Sequence, residues 1–518
     1  MSATFEKRTD GSNRRQVRVQ KELQEKRKFR IITITVVAVL AVLFIGALFV
    51  NSKFIRRNLP AISIGGERFS AAEFDYFYNN AYLEYSQMIQ SNYPDLAYLL
   101  PTGKPFSSQI NQMTGEPWSK TFESMAIENI TGLARLHKAA MAAGFVLSDE
   151  KRQALEDSIE SLMAQSAMLS FPSFEAFLHA YYGVNINEKV FRRVFEYIYI
   201  ASEYSQYVYD SFKYNEAELT DYYSENSDSL DIFTYRYFMV TADSVAEDDY
   251  DTTEEYDAAK EAAKASASEN AVKILAGIED EDGFISAARE YNEVTFDNPD
   301  STLINYPGSW ISGDYASWLK EAGRLYGDVT TVDTSTGTYI VFFVDRDNNE
   351  YRMPEMRQIL ILRESIDPDD YDEGEDDPAY QEAVENAEIE AGDRAENVLK
   401  LFTEGGGTEE YLLELMPDYS DDTTNGGFYD EISKDVSHRK MIKEIENWLF
   451  DPVREYGDFE MIRSEAYGYH LVFFMGHGER YCDYAAEQGL RGRDYSAWED
   501  GLDQGDAVTH WAYKLTLQ

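Results

Sequence analysis

The sequence predicts an α+β protein with a single N-terminal transmembrane helix, a mostly helical N-terminal domain and two related α+β domains in tandem. Three observations support this prediction: an uncharged run near the N-terminus, helical periodicity after it, and a signature that occurs twice in the C-terminal half. A chain of 518 residues has room for about three domains of roughly 150 residues. The predicted boundaries are 1–30 for a basic tail, 31–50 for the membrane span, 58–230 for the helical domain, 231–350 and 351–480 for the repeats, and 481–518 for a C-terminal extension.

The first element is a run of twenty uncharged residues from Ile31 to Val50, long enough at about 1.5 Å per residue to cross a hydrocarbon core of about 30 Å. Ten Lys or Arg residues precede it and only Lys53, Arg56 and Arg57 follow closely. This asymmetry predicts a cytoplasmic N-terminus and an extracytoplasmic bulk, that is, a single-pass protein of the cell membrane. A cleaved signal peptide is disfavoured because the run is too long and lacks an A-x-A-like exit.

The charge of the chain restricts its partners. The formal net charge is -47, while residues 1–57 carry thirteen Lys or Arg against four Asp or Glu, which leaves about -56 on the rest. Nucleic-acid binding requires a basic surface, so this class of partner is excluded. The only cysteine, Cys482, allows no internal disulfide and is too far from the N-terminus to carry a lipid there.

The helical domain opens with a predicted strand, turn and strand over Ala61–Phe69. Ser70 then caps a helix, with Glu73 three residues on as in a capping box. Helical periodicity later stops at Gly144 and restarts behind the cap residue Ser148. A further helical segment, residues 214–223, leads into the first repeat.

The repeated signature consists of Trp-Leu, then Gly-Asp nine residues after the Trp, then an apolar run ten or eleven residues after that glycine. An arginine on a partner strand precedes the Trp by 82 residues in one copy and 91 in the other. This arrangement predicts two copies of one helix, turn and strand module. Its members are Arg236, Trp318, Gly327 and Gly337–Phe343 in the first copy, and Arg357, Trp448, Gly457 and Tyr467–Phe474 in the second.

No cofactor or metal is predicted, although three sets of residues partly match the pattern of a calcium, zinc or phosphate site. Asp367–Asp372 has aspartate where a calcium loop requires its glycine, and this stretch, like Asp243–Glu255, is predicted to be a solvated acidic insertion. His470, His477 and Cys482 lack a fourth zinc ligand with supporting spacing. Gly405–Gly407 lacks the Lys and Ser or Thr of a phosphate loop and predicts a helix end.

The second repeat carries motifs of a known family. Ser420-Asp421-Asp422, Asn425-Gly426-Gly427-Phe428, Gly457-Asp458 and Gly468-Tyr469-His470 occur in the order found in parvulins. Together with the N-terminal helical pattern, they make residues 60–480 resemble membrane-anchored SurA- and PrsA-type foldases with parvulin-like (PpiC-type) peptidyl-prolyl isomerase domains. The resemblance implies a chaperone that binds unfolded or secreted polypeptides with X-Pro segments.

Site residues follow from this resemblance position by position. It implies catalytic roles for His470, Asp422 and Gln358, and a substrate-binding pocket formed by Met441, Ile445 and Phe428. Parvulin chemistry is noncovalent, with an apolar pocket for the proline ring and a polar cluster that favours a twisted peptide bond. Alternatively, His470 is a strand histidine satisfied by a backbone carbonyl, and Met441 with Ile445 is ordinary core spacing.

One departure leaves the activity open. Where parvulins carry a histidine on the first strand, this chain has Gln358, which forms hydrogen bonds but does not titrate. In the first repeat the matching positions hold Tyr237 and Tyr339, which predicts a noncatalytic copy. The alternative function is therefore a catalytically inactive holdase or assembly scaffold. A hydrolase is disfavoured because no G-x-S-x-G or H-E-x-x-H sequence occurs.

Overall fold

The computed structural model describes residues 33–42, 52–292, 303–371, 374–434, 441–503 and 505–516. Within the predicted membrane span, residues 33–42 form a helix (α1), and the remainder of the span lies outside the described residues. In these ranges, no helix combines the length and the apolar character needed to cross a membrane.

The chain forms two compact units that differ from the predicted domains at their edges. The first contains residues up to Phe212 and from Arg493 onward, and the second contains Lys213–Gly492. The last residues of the chain therefore belong with the helical unit, and the helix that ends at Leu230 belongs with the repeats. The physical reason is a strand near the C-terminus that pairs inside the first unit.

The first unit combines a small sheet with helices. Its antiparallel sheet has the strand order β11-β1-β2, and the Ser70 hydroxyl and the Glu73 carboxylate form the predicted capping box at the start of α3. Large aromatic side chains fill the core, Trp118 stacking on Phe122 at 5.4 Å between ring centroids. Its elements are α2 (Lys53–Asn58), β1 (Pro60–Ile64), β2 (Glu67–Ser70), α3 (Ala71–Asn92), α4 (Trp118–Ala142), α5 (Asp149–Met168), α6 (Phe174–Tyr182), α7 (Glu188–Ser211) and β11 (Ala507–Thr509).

The second unit holds two four-stranded sheets of the same topology. The first has the order β4-β3-β6-β5 and the second β8-β7-β10-β9, and every pairing is antiparallel. Helix α8 (Glu216–Leu230) precedes the first sheet, and α15 (Tyr481–Asp500) begins after the second. The first repeat consists of β3 (Ile232–Thr241), α9 (Thr253–Leu275), α10 (Glu281–Asn292), β4 (Ile304–Pro307), α11 (Ala316–Leu319), β5 (Val329–Asp333) and β6 (Gly337–Asp347). The second consists of β7 (Arg352–Leu362), α12 (Pro378–Glu404), α13 (Glu409–Tyr419), β8 (Phe428–Tyr429), α14 (Lys443–Leu449), β9 (Phe459–Ser464) and β10 (Gly468–Arg480).

Matching arginines of the two repeats make matching ion pairs. Arg236 on β3 contacts Glu281 at 2.8 Å, and Arg357 on β7 contacts Glu409 at 2.7 Å. In both cases the glutamate lies at the first residue of a helix that packs on the sheet. The arginine that precedes each signature therefore ties the central strand to a helix.

The spacing of Trp and Gly-Asp, which is the same in both repeats, has a packing reason. The Arg324 guanidinium lies 3.9 Å from the centre of the Trp318 ring, and that of Arg454 lies 4.2 Å from Trp448. After each arginine the glycine adopts a positive φ, +89° at Gly327 and +94° at Gly457. Its N–H donates to the carbonyl of Phe343 on β6 in the first copy and of Phe474 on β10 in the second, at 3.0 Å in both. The turn therefore fixes the start of the edge strand, β5 or β9, against its neighbour in the sheet.

The predicted acidic insertions lie mainly at the surface. The first, around Asp243–Glu255, includes a short 3-10 turn and the beginning of α9. The second contains two short 3-10 turns, apart from residues 372 and 373, which are outside the described ranges. Among the described residues, no group of three or more His, Cys, Asp or Glu side chains is arranged to hold a metal ion.

Candidate functional site

The central strands of the second sheet bring Gln358 and His470 to one face. In the antiparallel register of β7 and β10, His470 pairs with Leu360, and Val472 pairs with Gln358. Because side chains alternate along a strand, these positions share a face, and Gln358 and His470 are diagonal neighbours on it.

His470 forms two side-chain hydrogen bonds in a buried environment. Its Nδ1 lies 2.9 Å from the Gln358 Oε1, and its Nε2 lies 3.0 Å from the Oγ of Ser464 at the end of β9. His470 is 2% exposed and Gln358 6%. The histidine is therefore held by two side chains rather than by a backbone carbonyl.

A tyrosine connects this pair to the predicted aspartate. The Gln358 Nε2 donates to the Tyr429 hydroxyl at 3.3 Å, and that hydroxyl donates to the Asp422 Oδ2 at 2.6 Å. Asp422, Tyr429, Gln358, His470 and Ser464 thus form one continuous chain of hydrogen bonds. The structure brings all three predicted catalytic residues together, with Tyr429 as the link.

The ionised carboxylate sets the direction of this chain. A carboxylate only accepts hydrogen bonds, so Tyr429 must donate to Asp422 and accept from the Gln358 amide. The amide oxygen of Gln358 is then left to accept from the His470 Nδ1–H. His470 therefore carries a proton on Nδ1. Because burial lowers the pKa of the ring, Nε2 is bare at neutral pH and accepts from the Ser464 hydroxyl.

The loop that carries Asp422 is bonded to the same strand as Gln358. The Asp421 N–H donates to the Leu360 carbonyl at 2.7 Å, and the Leu360 N–H donates to the Ser420 Oγ at 3.1 Å. The Ser420 hydroxyl in turn donates to the Asp422 carbonyl at 2.6 Å. These bonds explain why a serine two residues before the aspartate forms part of the motif.

The surroundings shift the pKa values of the network. Burial lowers the pKa of His470 to about 4, which favours the neutral ring. Burial also acts to raise the pKa of Asp422, but hydrogen bonds from Tyr429 and Thr424 outweigh it and hold that pKa below its ordinary value. Burial and the bond to Asp422 raise the pKa of Tyr429. Near neutral pH, the network therefore carries one negative charge, at its partly exposed end.

Two of the three predicted pocket residues lie on this face. Ile445 is buried, Met441 is half-buried, and both pack into an apolar cluster with Tyr429 and Ile462. Phe428 does not join them, because it pairs with Arg357 in the strand register and lies 5.1 Å beneath the Arg357 guanidinium. Phe428 therefore occupies the opposite face of the sheet from His470.

The equivalent face of the first repeat is aromatic. Tyr237 and Tyr339 occupy the positions of Gln358 and His470, with ring centroids 5.7 Å apart. Tyr315 stacks on Tyr237 at 5.4 Å. Tyrosine rings thus replace the carboxylate-to-histidine chain here.

The sequence reasoning missed Tyr429 and Ser464. Each had a signal in the sequence. Tyr429 lies two residues after Gly427 in the double-glycine motif, and Ser464 lies six residues before His470, across a turn at residues 465–467. A predicted antiparallel pairing of β9 with β10 would have placed Ser464 beside His470, since Ile462 pairs with His470.

No protein-family model and no curated protein sequence matches this chain. Among solved structures, PrsA from Bacillus subtilis matches at 15% identity, covering 53% of this chain and 86% of PrsA, with a TM-score of 0.15. Two structures whose descriptions name the SurA-like chaperones PEB4 and Cj1289 of Campylobacter jejuni also match. The first has 17% identity and a TM-score of 0.16, and the match covers 45% of this chain and 81% of that structure's chain. The second has 9% identity and a TM-score of 0.15, and the match covers 67% of this chain and 95% of that structure's chain. The similarity to PrsA and SurA-like chaperones that the motifs indicate is thus found among solved structures as well.

Proposed function

We propose that this chain is a membrane-anchored, extracytoplasmic foldase whose second repeat catalyses cis–trans isomerisation of X-Pro peptide bonds in unfolded or secreted polypeptides. One observation carries the proposal: the hydrogen-bonded chain from Asp422 to His470 lies beside the apolar cluster that contains Met441 and Ile445. The uncharged run from residue 31 to 50 supports the anchor, and its basic N-terminal flank supports the extracytoplasmic location.

The chemistry requires no covalent step. Rotation about a peptide bond has a barrier of about 18–20 kcal/mol, and each 1.4 kcal/mol of preferential transition-state binding gives about a tenfold acceleration. A twisted peptide bond has lost its resonance and the charge separation that resonance produces. An apolar surface such as the cluster that contains Met441 therefore favours the twisted bond over the planar bond. Asp422 and Tyr429, at the partly exposed end of the network, are the polar groups that an incoming peptide meets.

His470 acts in this proposal as a positioning residue. Since it is 2% exposed, it contacts no peptide directly and orients Gln358, which in turn orients Tyr429. A neutral ring with its proton on Nδ1 suits this role, because Nε2 then accepts from the Ser464 hydroxyl. A charged ring would donate from both nitrogens and would reverse the bond to Ser464.

The second candidate function is a holdase that has kept the fold and lost catalysis. Gln358 favours it, because glutamine replaces the titratable histidine that parvulins carry at this position. The tyrosine-lined face of the first repeat also suits binding without chemistry, as aromatic rings offer large contact areas.

A protease-coupled prolyl peptide assay on the full-length chain separates the two functions. Isomerase activity predicts an acceleration that is lost in His470→Ala. No acceleration, combined with suppression of client aggregation, supports the holdase instead. The aggregation assay on the same preparation shows that an inactive sample is still folded.

A further inference from the structure

A cavity in the first unit is lined by cations, in contrast to the acidic body of the protein. It has a volume of about 360 Å³, and its polar lining includes Arg57, Lys189 and Arg193. Phe54 also contributes to its wall and is 60% exposed. The formal charge of the whole chain is -47. Of the three cations at this cavity, Arg57 and Arg193 pair with Glu175 and Glu73, and Lys189 is the excess positive charge.

The two arginines are held in place by bonds that leave most of their donors available. The Arg57 Nε donates to the Asn185 carbonyl at 2.7 Å, and its Nη2 lies 3.4 Å from Glu175. The Arg193 Nε contacts Glu73 at 2.5 Å, and its Nη2 donates to the Arg57 carbonyl at 3.2 Å. Each guanidinium has five N–H donors, so each has three donors outside these bonds.

Lys189 supplies the third cation and is the most available. It is exposed, and within the described ranges it makes no ion pair. An ammonium group at the mouth of a cavity with two guanidinium groups suits a ligand with several negatively charged or polar oxygens, and phosphate oxygens are the preferred partners of such groups.

The position of the cavity along the chain favours a membrane lipid as the source of a phosphate. Its first lining residue, Phe54, comes four residues after the end of the uncharged run at Val50. Four residues extend at most about 14 Å, so the wall that Phe54 and Arg57 provide lies close to a membrane into which the run is inserted. An exposed aromatic beside cations is also the usual composition of a membrane-contacting surface.

We propose that this cavity binds the phosphate of an anionic membrane lipid such as phosphatidylglycerol, through Arg57, Lys189 and Arg193. The inference rests on the membrane anchor in the proposed function and is independent of isomerase activity. The site attaches the acidic extracytoplasmic body to a membrane surface that would otherwise repel it.

The test is lipid retention by the full-length chain, measured by native mass spectrometry after reconstitution in mixed phosphatidylglycerol and phosphatidylcholine vesicles and solubilisation. The wild type retains phosphatidylglycerol selectively. Lys189→Glu lowers this retention about tenfold, Lys189→Arg preserves it, and Lys104→Glu, which reverses another exposed lysine of the same unit, leaves it unchanged. Equal retention of the two lipids, or equal loss in Lys189→Glu and Lys104→Glu, would overturn the proposal.

Two further arms separate the sources of failure. In the first, inorganic phosphate is added at low concentration. Binding of phosphate by a chain that retains no lipid would assign the cavity to a soluble anion and overturn the lipid assignment. Extraction of the vesicles with alkaline carbonate tests the anchor: release of the chain would refute both the anchor and this inference. Retention of the chain without lipid selectivity would refute the inference alone. Isomerase activity in Lys189→Glu should equal that of the wild type.

Discussion

At the scale of single residues, Tyr429 is the group on which the site depends most. Its hydroxyl accepts from the Gln358 amide and donates to the Asp422 carboxylate, so it connects the two within the hydrogen-bonded chain. Without it, the Gln358 amide keeps only its bond to His470 on the other side, and the Asp422 Oδ2 loses the donor that holds it towards Gln358.

Replacing Tyr429 with phenylalanine should therefore lower kcat/KM for a prolyl peptide by at least tenfold. The change leaves the ring in place, so the free energy of unfolding should fall by only about 1 kcal/mol, the net worth of a typical hydrogen bond. Tyr469→Phe is the matched control, because this tyrosine neighbours His470 on β10 but donates to Glu388 on the opposite face, at 3.0 Å. Equal activities of the two variants would contradict the role of Tyr429.

The lowered pKa of His470 makes stability depend on pH. The folded state has a pKa of about 4, below the ordinary value of about 6.5 for an unfolded histidine. Between these values the unfolded chain binds the proton and the folded chain does not, so stability is lost as the pH falls through this window.

The expected loss from this group is about 2 kcal/mol between pH 7 and pH 5. Urea unfolding of the wild type and of His470→Gln at both pH values measures it, because carboxylates contribute equally to both proteins. The variant should lose about 2 kcal/mol less than the wild type. Parallel losses would mean that His470 is not buried in its neutral form.

At the scale of elements, the double glycine determines where β8 can lie. Gly427 has φ +64°, and a Cβ there would lie 2.4 Å from the Gln358 carbonyl oxygen and 2.6 Å from the Met416 Cε. This glycine lets β8 approach β7 closely enough for Tyr429 to reach Gln358.

Gly427→Ala should push β8 away from β7 and abolish isomerase activity. Gly406→Ala is the control, since Gly406 also has a positive φ, +100°, but nothing lies within 4 Å of its Cβ position. Strain alone should cost the control about 1 kcal/mol, and the clash at Gly427 should add about 1–3 kcal/mol. Urea unfolding measures both variants; equal stabilities, or full activity in Gly427→Ala, would refute the close approach.

The sequence predicted well those elements whose characteristic residues depend only on neighbours that are close in the sequence. Trp448 and Gly457 mark a helix and a turn in their own neighbourhood, so the repeat was visible without any tertiary information. Tyr429 was not, because its role arises from the pairing of two strands that are far apart in sequence. Phe428 was assigned to the pocket for the same reason: only the register with Arg357 places it on the other face.

At the scale of the whole molecule, the C-terminal strand shows what the sequence could not predict. Strand β11 has three exposed residues and no hydrophobic pattern, so nothing in it indicates a partner. Nevertheless it pairs with β1, and the buried Ala512 and Leu515 after it pack against Ile55 and Ala61. The first unit is therefore built from two segments that are far apart in the sequence, whereas the predicted domains were continuous segments.

A chain that ends after residue 503 should lose stability in the first unit only. Removing the buried Leu515 and its neighbours should cost about 2–5 kcal/mol, and amide hydrogen exchange in β1 and β2 should become faster. Exchange in β7 and β10 and the isomerase activity should remain unchanged. Unchanged protection of β1 would contradict the pairing with β11.

The central claim, that the second repeat accelerates X-Pro isomerisation, is tested most directly by exchange NMR of a prolyl peptide with the full-length chain. This method needs no protease and detects both isomers at equilibrium. The wild type and the Tyr469→Phe control should raise the cis–trans exchange rate well above the uncatalysed rate, which corresponds to tens to hundreds of seconds, and Asp422→Asn and Tyr429→Phe should reduce this acceleration at least tenfold. If the wild type binds the peptide but leaves its cis–trans exchange rate unchanged, the claim is contradicted, and the holdase function is the one that remains.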